Sequence, residues 1–448
     1  MSSAGDFALR RDRLVGELTA ARAGAAASPV RLGKQTSNLF RDRDDGPRRR
    51  LDVRDFIHVL QVNPGEGWVD AEAMTTYEAL AEATLAHGVM PRVVPQLKSI
   101  TIGGAIAGVG IEASSFKHGL VHDALLELEV LLGDGTIAVA RPDNEHRDLF
   151  YGFPNSYGTL GYALRVKAKT MPVKPFVRLE HVRHRDPEAF FGNLAALCAS
   201  PIDFVDGVVF GAQEMVITAG RFVAHAPYAS NYTFEHIYYR SLRTREEDYL
   251  SAPDYLWRWD TDWFWCSKNL YAQNPLVRRI LGRNRLNSVF YSKVMRWNSR
   301  HGVTRWLDSL AGRHPESVIQ DVDVPIERAA AFLDFLLREI GITPVWVCPF
   351  RSEGSWTLFP VRPDALYVNF GFWDVVRAPT THPRGHFNRL IERKAIELGG
   401  IKSLYSDSYY PADEFWAIYN GAAYEALKAR YDPQRVFKNL YEKCVLRH

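Results

Sequence analysis

The sequence predicts an α+β fold spread over more than one domain, and three observations carry that prediction. At 448 residues the chain exceeds what one small hydrophobic core accommodates. Strand-like and helix-like patterns alternate as far as about residue 175, and a second series starts after "MPVKP". With 46% apolar residues and ordinary glycine and proline content, the composition is that of a soluble globular protein.

Several classes are excluded at this stage. The start, "MSSAGDFALRRDRL", has no apolar run of signal-peptide length, and no later window resembles a membrane span, so a cytoplasmic protein is expected. Cys198, Cys266, Cys348 and Cys444 are far apart and show no ligand-pair spacing. They indicate neither a zinc site nor a disulfide framework; buried free thiols and no metal are expected. The Ala-rich "AARAGAAAS" at 20–28 reads as the end of an N-terminal helix.

The elements follow in chain order. "LDVRDFIHVLQVNPGEGWVDAEAM" gives a strand, a turn at Pro64–Gly67 and a short strand. A helix runs from about Thr75 to His87, with Leu80, Ala83, Thr84 and Leu85 on one face and Gly88 as its stop. "ALLELEVLLGDGTIAVA" is a hairpin turning at "GDG". "GTLGYALRVKAKTMPV" is a strand with Leu164, Val166 and Ala168 on one face. After the break near 175 come a strand in "FVRLEHVRHR", a helix in "DPEAFFGNLAALCAS" and a hairpin in "DFVDGVVFGAQEMVITAGRFV". A strand–helix–strand unit spans "VDVPIERAAAFLDFLLREIGITPVWVCPF", "ALYVNFGFW" adds a strand, and the last segment reads as two helices around the "DP" at 432–433.

The stretch "TIGGAIAGVGIEASSFKHG", Thr101 to Gly119, holds five glycines. Glycine suits backbone that takes unusual dihedrals or lies against a ligand, and a pyrophosphate needs both. The nicotinamide fingerprint fails, because Gly108 and Gly110 are followed by Ile111, Glu112 and Ala113 and the third glycine is missing. Residue types alone leave a ligand loop and a bare turn equally open.

This stretch with its continuation "LVHDALLELEVLLGDGT", and then "DLFYGFPNSYGTLGYALRVKAKTMPVKP", resembles the FAD-binding domain of the vanillyl-alcohol-oxidase (PCMH-type) flavoproteins. Within that superfamily the chain is most similar to the delta-24 sterol reductases. "PVWVCPF" at 344–350, "SLYSDSYYPADEFWAIYNGAAYEALKARY" and "VFKNLYEKC" extend the likeness. The resemblance implies a two-subdomain FAD-binding domain over 1–175, a substrate (cap) domain over 176–400, and a segment 401–448 whose helices return to the FAD domain and complete the flavin site. It implies that Gly103, Gly104, Gly110, Glu112, Ser114, Ser115 and Gly119 line the cofactor. "GKQTSNLF" would supply the other phosphate loop through Lys34, Thr36, Ser37 and Asn38, and Gly158, Thr159 and Gly161 would pass beside the flavin. No His or Cys stands where relatives tether the flavin; His118 is the nearest and is expected to be a contact, so the FAD is expected to be non-covalent.

For the sterol reductases the implied reaction is saturation of an isolated C=C bond. Without a carbonyl to polarise it, the alkene needs an acid to protonate its less substituted carbon, a hydride for the tertiary cation, and apolar, aromatic walls. "YLWRWDTDWFWC" offers Trp257, Trp259, Trp263 and Trp265 with Asp260 and Asp262, and Trp346 adds another indole. Each indole taken alone fits a core or an interface better than a cavity; together they suggest a lipid-sized cavity. Relatives place "YSDSYY" near the flavin ring, which makes Tyr405, Asp407 and Tyr409 candidate acids beside Glu112.

Between Trp263 and Leu307 there is no acid but there are nine cations: Lys268, Arg278, Arg279, Arg283, Arg285, Lys293, Arg296, Arg300 and Arg305. The whole chain is only +3, so the charge is concentrated here. Interleaved apolar residues make this the composition of a surface that lies on anionic lipid, although a solvated basic face fits as well. No nucleic-acid module accompanies it. Animal and plant sterol reductases carry an N-terminal hydrophobic anchor; this sequence shows none, and its Ala- and Arg-rich composition reads as bacterial. A peripheral membrane protein is therefore expected. Its expected substrate is a methylene-branched acyl chain on a phospholipid, as in tuberculostearic acid synthesis, or a sterol or isoprenoid side chain. NADPH is the expected electron donor. An oxidase or dehydrogenase of an alcohol or hydroxy acid is the alternative, and a flavin-stabilised lipid-binding protein a third.

Overall fold

The computed structural model describes residues 4–23, 30–34, 40–41, 49–301, 312–354 and 356–446. Period-2 alternation builds the first layer. Strands Val59–Asn63, Trp68–Glu72, Tyr162–Pro172, Leu125–Leu131 and Ile137–Ala140 hydrogen-bond in that order, and Val89–Pro91 pairs with the end of the long strand. Along that strand Leu164, Val166 and Ala168 are buried while Arg165 and Lys167 are half-buried, as their spacing expects. Gly135, at φ +90°, lets the chain reverse so that Leu131 faces Ile137. The helix Tyr77–Leu85 is shorter than its apolar spacing suggests, because Thr76 stays extended and caps it, its Oγ1 accepting from the Ala79 N–H.

The chain crosses to the second layer between Pro172 and Phe176. There eight strands pair antiparallel in the order Glu247–Ser251, Phe176–His184, Glu214–Val223, Phe204–Gly211, Val345–Phe350, Tyr367–Ala378, His314–Pro325 and Ile401–Lys402. Helices Pro187–Cys198, Ala329–Phe335 and His386–Glu397 cover one face, where Phe190, Phe332 and Ile391 meet Val322, Val347 and Phe370. The other face, with Val208, Trp346 and Trp373, joins the core of the first layer. Both faces of this sheet are therefore covered over its centre, while the strand ends carry exposed residues such as Val182 and Arg377.

The C-terminal helices are Ala412–Ile418 and Gly421–Tyr431, divided at Asn420 (φ +53°). The "DP" at 432–433 follows the second helix rather than separating the two. Asp432 is committed there to a turn: it accepts from the N–H of Val436 and of Phe437 and from Lys428 Nζ. Lys428 Nζ also donates to the Thr159 carbonyl at 2.7 Å, which ties this segment to the loop before the long strand of the first layer.

The basic stretch does not act as one surface. Arg278 is buried and forms a bidentate pair with Asp262 at 2.7 and 2.9 Å, and Lys268 pairs with Asp374 at 2.8 Å. Arg279, Arg283, Arg285 and Lys293 are exposed. Arg305, like Thr36, Ser37 and Asn38, lies outside the described residues, as do the side chains of Arg296 and Arg300. Among the described residues no helix is long and apolar enough to cross a membrane. All four cysteines are buried and unpaired.

Candidate functional site

The glycine-rich stretch folds into a short helix, Ile102–Ala107, capped by Thr101 through the Gly104 N–H. Its glycines serve two purposes. A Cβ on Gly103 would fall 2.6 Å from the Ala73 Cβ, and one on Gly110 2.6 Å from Val121 Cγ2; these two let protein pack on protein. A Cβ on Gly104 would meet only Thr101 Oγ1, at 2.8 Å, the hydroxyl that caps the helix. Gly104 is exposed and borders a cavity of about 330 Å³, so this glycine keeps its cap in place and leaves the cavity edge clear.

Of the residues expected at the cofactor, Lys34, Gly103, Gly104, Gly110, Gly158 and Gly161 line this cavity. Ser114, Ser115, His118, Gly119 and Thr159 do not. Ser114 Oγ donates to the Arg92 carbonyl and Ser115 Oγ accepts from the Glu112 N–H. Gly119 (φ +75°) makes room for Asp123, and Thr159 Oγ1 donates to the Ser156 carbonyl. His118 is pushed down to about 4 by burial, with Arg92 and Lys117 adding to it. Cations absent from the expectation, Arg31, Arg41 and Lys443, also line the cavity. Arg41 lies 4.8 Å over the Tyr157 ring and Lys443 Nζ donates to the Tyr157 carbonyl at 2.6 Å. A backbone-lined slot with cations around it suits an anionic dinucleotide. FAD would be held there by Lys34, Arg31 and Gly104.

Beyond the glycines the wall becomes aromatic. Trp263 and Phe264 take positive φ, +42° and +59°, a turn that brings both side chains to the cavity. Phe264 lies 4.4 Å from Trp373 and 5.4 Å from Trp346 between ring centroids, and Phe40 lies 5.4 Å from Trp263. Trp257 and Trp259 are not in this wall. Trp257 is half-buried with Lys98 Nζ 5.8 Å from its ring, and Trp259 is stacked beneath Phe264 at 4.7 Å.

The carboxylates conspicuous in the sequence are anchors. Arg258 Nη2 donates to Glu112 Oε1 at 2.7 Å and to Asp206 Oδ2 at 3.0 Å, and Trp346 Nε1 donates to the same Asp206 oxygen at 3.1 Å. Glu112 is thus bound in a buried ion pair and does not line the cavity; burial pushes it up to about 7 despite Arg258. Asp260 accepts from Ser288 Oγ and the Lys98 N–H, and Asp262 holds Arg278.

Of the expected acids from "YSDSYY", only Tyr405 reaches the cavity, where its OH accepts from Trp373 Nε1 at 2.9 Å. Asp407 and Tyr409 line a neighbouring cavity of about 670 Å³, which shares Phe40, Arg41 and Trp263 with the first. The carboxyl that does reach the first cavity is Asp321, on the strand His314–Pro325. Its cross-strand partner is Gly371, which in turn pairs with Trp346. A Cβ on Gly371 would come 2.8 Å from Asp321 Oδ1, so this glycine makes room for the acid. Burial, with Asp323 adding like charge, holds Asp321 well above the usual carboxylate range, although a hydrogen bond from Tyr405 opposes this.

Residues 22–141 match the model of the FAD binding domain family. The chain is 28% identical over 404 residues to the Delta(24)-sterol reductase of Homo sapiens, covering 87% of this chain and 76% of that protein. It is 26% identical over 443 residues to the Delta(24)-sterol reductase of Arabidopsis thaliana, covering 88% and 76%. Cytokinin dehydrogenase 7 of Oryza sativa is 29% identical over 147 residues, 32% of this chain and 28% of that protein. The chain carries an FAD-binding domain and is an FAD-dependent oxidoreductase similar, over most of its length, to the Delta(24)-sterol reductases.

Proposed function

We propose that this flavoprotein reduces an isolated C=C bond of a lipid, with NADPH as electron donor and a methylene-branched phospholipid acyl chain as the favoured substrate. The observation that carries the reading is the change of wall along one cavity, from glycine backbone with cations to Trp263, Phe264, Trp346 and Trp373. Oxidation of an alcohol or hydroxy acid favours a polar pocket, and the indoles of Trp263, Trp346 and Trp373 make this end of the cavity apolar. FAD, once reduced, supplies the hydride. The aromatic residues bind the acyl chain, exclude water and face the developing cation with their π-clouds. Trp346 is held in orientation by Asp206, and through it by Arg258 and Glu112. No second dinucleotide motif is present in the sequence, so NADPH would visit the site transiently.

The substrate would come from an anionic membrane surface. Tyr271, Leu276, Ile280, Val289 and Trp297 are exposed apolar side chains, set among the exposed Arg279, Arg283, Arg285 and Lys293. Apolar insertion beside cations matches an anionic leaflet. The helix Ser288–His301 carries Val289 and Trp297 and also lends Ser292 and Met295 to the second cavity, which offers an acyl chain a route from the membrane to the flavin slot. The reading is tested by incubating the holoenzyme with NADPH and a methylene-branched phospholipid. A two-hydrogen mass gain in the acyl chain supports it. An unchanged lipid, with an alcohol or hydroxy acid oxidised instead, replaces it with the oxidase reading.

A further inference from the structure

The lipid reduction proposed above needs a proton donor, and the expected candidates divide sharply in space. Glu112 is bound to Arg258, Asp407 and Tyr409 line the second cavity, and Tyr405 reaches the first but is made a still weaker acid than an ordinary phenol by its burial. One carboxyl shares the aromatic cavity, that of Asp321, and it sits in the row of cross-strand neighbours Trp346, Gly371 and Asp321. Gly371 leaves it room. Its Oδ1 accepts no hydrogen bond, and no Lys or Arg forms an ion pair with it among the described residues. A carboxyl with no cationic partner, beside another carboxyl in an aromatic enclosure, is stable chiefly as the neutral acid.

We propose that Asp321 is the catalytic acid, delivering its carboxyl proton to the less substituted carbon of the alkene. The O–H bond of Asp321 breaks and the alkene π pair forms the new C–H bond. The more substituted carbon, left cationic, takes the hydride supplied by reduced FAD. The substrate gains one proton and one hydride, the cofactor loses two electrons, and the Asp321 carboxylate recovers its proton from solvent. The groups that face Asp321 set its titration: Asp323 on its own strand, Tyr405 from the segment after Ile401–Lys402, and Tyr157 from the first layer. Asp323 disfavours the carboxylate and Tyr405 stabilises it by a hydrogen bond.

This assignment rests on the lipid-reductase reading, and the test separates the two. Asp321→Asn keeps shape and polarity but has no acidic proton. The variant is expected to lose the lipid-dependent reoxidation by about 100-fold or more, measured on protein matched for FAD content and starting from fully reduced flavin, so that a change in cofactor loading or in the NADPH step does not enter. In wild type the lipid step should fall as pH rises through the titration of Asp321, and in heavy water one deuterium should enter at the less substituted carbon. Asp323→Asn removes a neighbouring like charge and should move that alkaline limb to lower pH. An infrared band of a protonated carboxyl, present in wild type at neutral pH and lost in Asp321→Asn, gives a readout independent of turnover. Lipid reduction in Asp321→Asn within threefold of wild type, or an alkaline limb unmoved by Asp323→Asn, would overturn Asp321 and leave the lipid reading standing. A wild-type protein that NADPH reduces but no alkene lipid reoxidises would overturn both.

Discussion

Replacement of Arg258 by methionine should be among the most damaging single changes in this protein, and its cost should depend on pH. Arg258, Glu112 and Asp206 are each no more than 4% exposed in their side chains. One guanidinium pairs with both acids through Nη2, and its charged group also lies 4.0 Å over the Tyr255 ring. Methionine keeps the apolar stem but leaves two carboxylates buried together without a cation, a loss of about 3–5 kcal/mol. Protonation relieves the strain, so the deficit should be larger at pH 8 than at pH 5.5. Adding Glu112→Gln and Asp206→Asn removes both orphaned charges and should restore most of the stability. Denaturant unfolding followed by tryptophan fluorescence reads all three quantities. A deficit for Arg258→Met below about 1 kcal/mol, or one that is equal at the two pH values, would refute the argument that this triad is a buried anchor.

Other predictions follow from single residues. Gly104→Leu, which displaces only the Thr101 cap, should lower the FAD content of the purified protein at a small cost in stability, whereas Gly103→Ala, which strikes the Ala73 backbone and side chain, should destabilise the fold more; equal loss of fold in both would contradict the division of roles. Replacing Arg279, Arg283, Arg285 and Lys293 together by glutamine should weaken sedimentation with anionic vesicles by about 100-fold or more at low salt, at about 1 kcal/mol per cation, and leave neutral vesicles unaffected. His181 is buried against Thr218 and held down to about 4. Because the unfolded chain binds that proton more readily, stability from this site is present above pH 6.5 and lost as pH falls towards 4, by as much as about 3 kcal/mol. An acid limb of the unfolding curve unaltered by His181→Gln would count against it.

Much of the architecture was legible because it is local. Alternation in "YALRVKAKT" and the "GDG" turn are short-range signals, and each marks an element where it occurs. The site was legible only in part. Gly104, Trp263, Trp346 and Tyr405 carry their signal in residue type and line the cavity. Asp321 carries a misleading one: in "VIQDVDVP" the acids alternate with Val318, Val322 and Val324, which reads as a strand with one wet face. The fold buries both faces, so the polar side of that strand faces the cavity instead of solvent. Ion pairing hid the opposite error. Glu112, Asp262 and Arg278 look like site or surface residues in sequence, but their partners are 146 and 16 positions away, a separation that no local pattern reports.

The direction of electron flow and the identity of the acceptor separate a lipid reductase from an oxidase. Anaerobic mixing of the yellow holoenzyme with NADPH, followed by phospholipid carrying a methylene-branched acyl chain, tests both in one cuvette. Bleaching of the flavin by NADPH, and its stoichiometric recovery on adding the lipid, is the expected result. A flavin that stays oxidised with NADPH and is bleached by an alcohol or hydroxy acid would contradict the reductase reading.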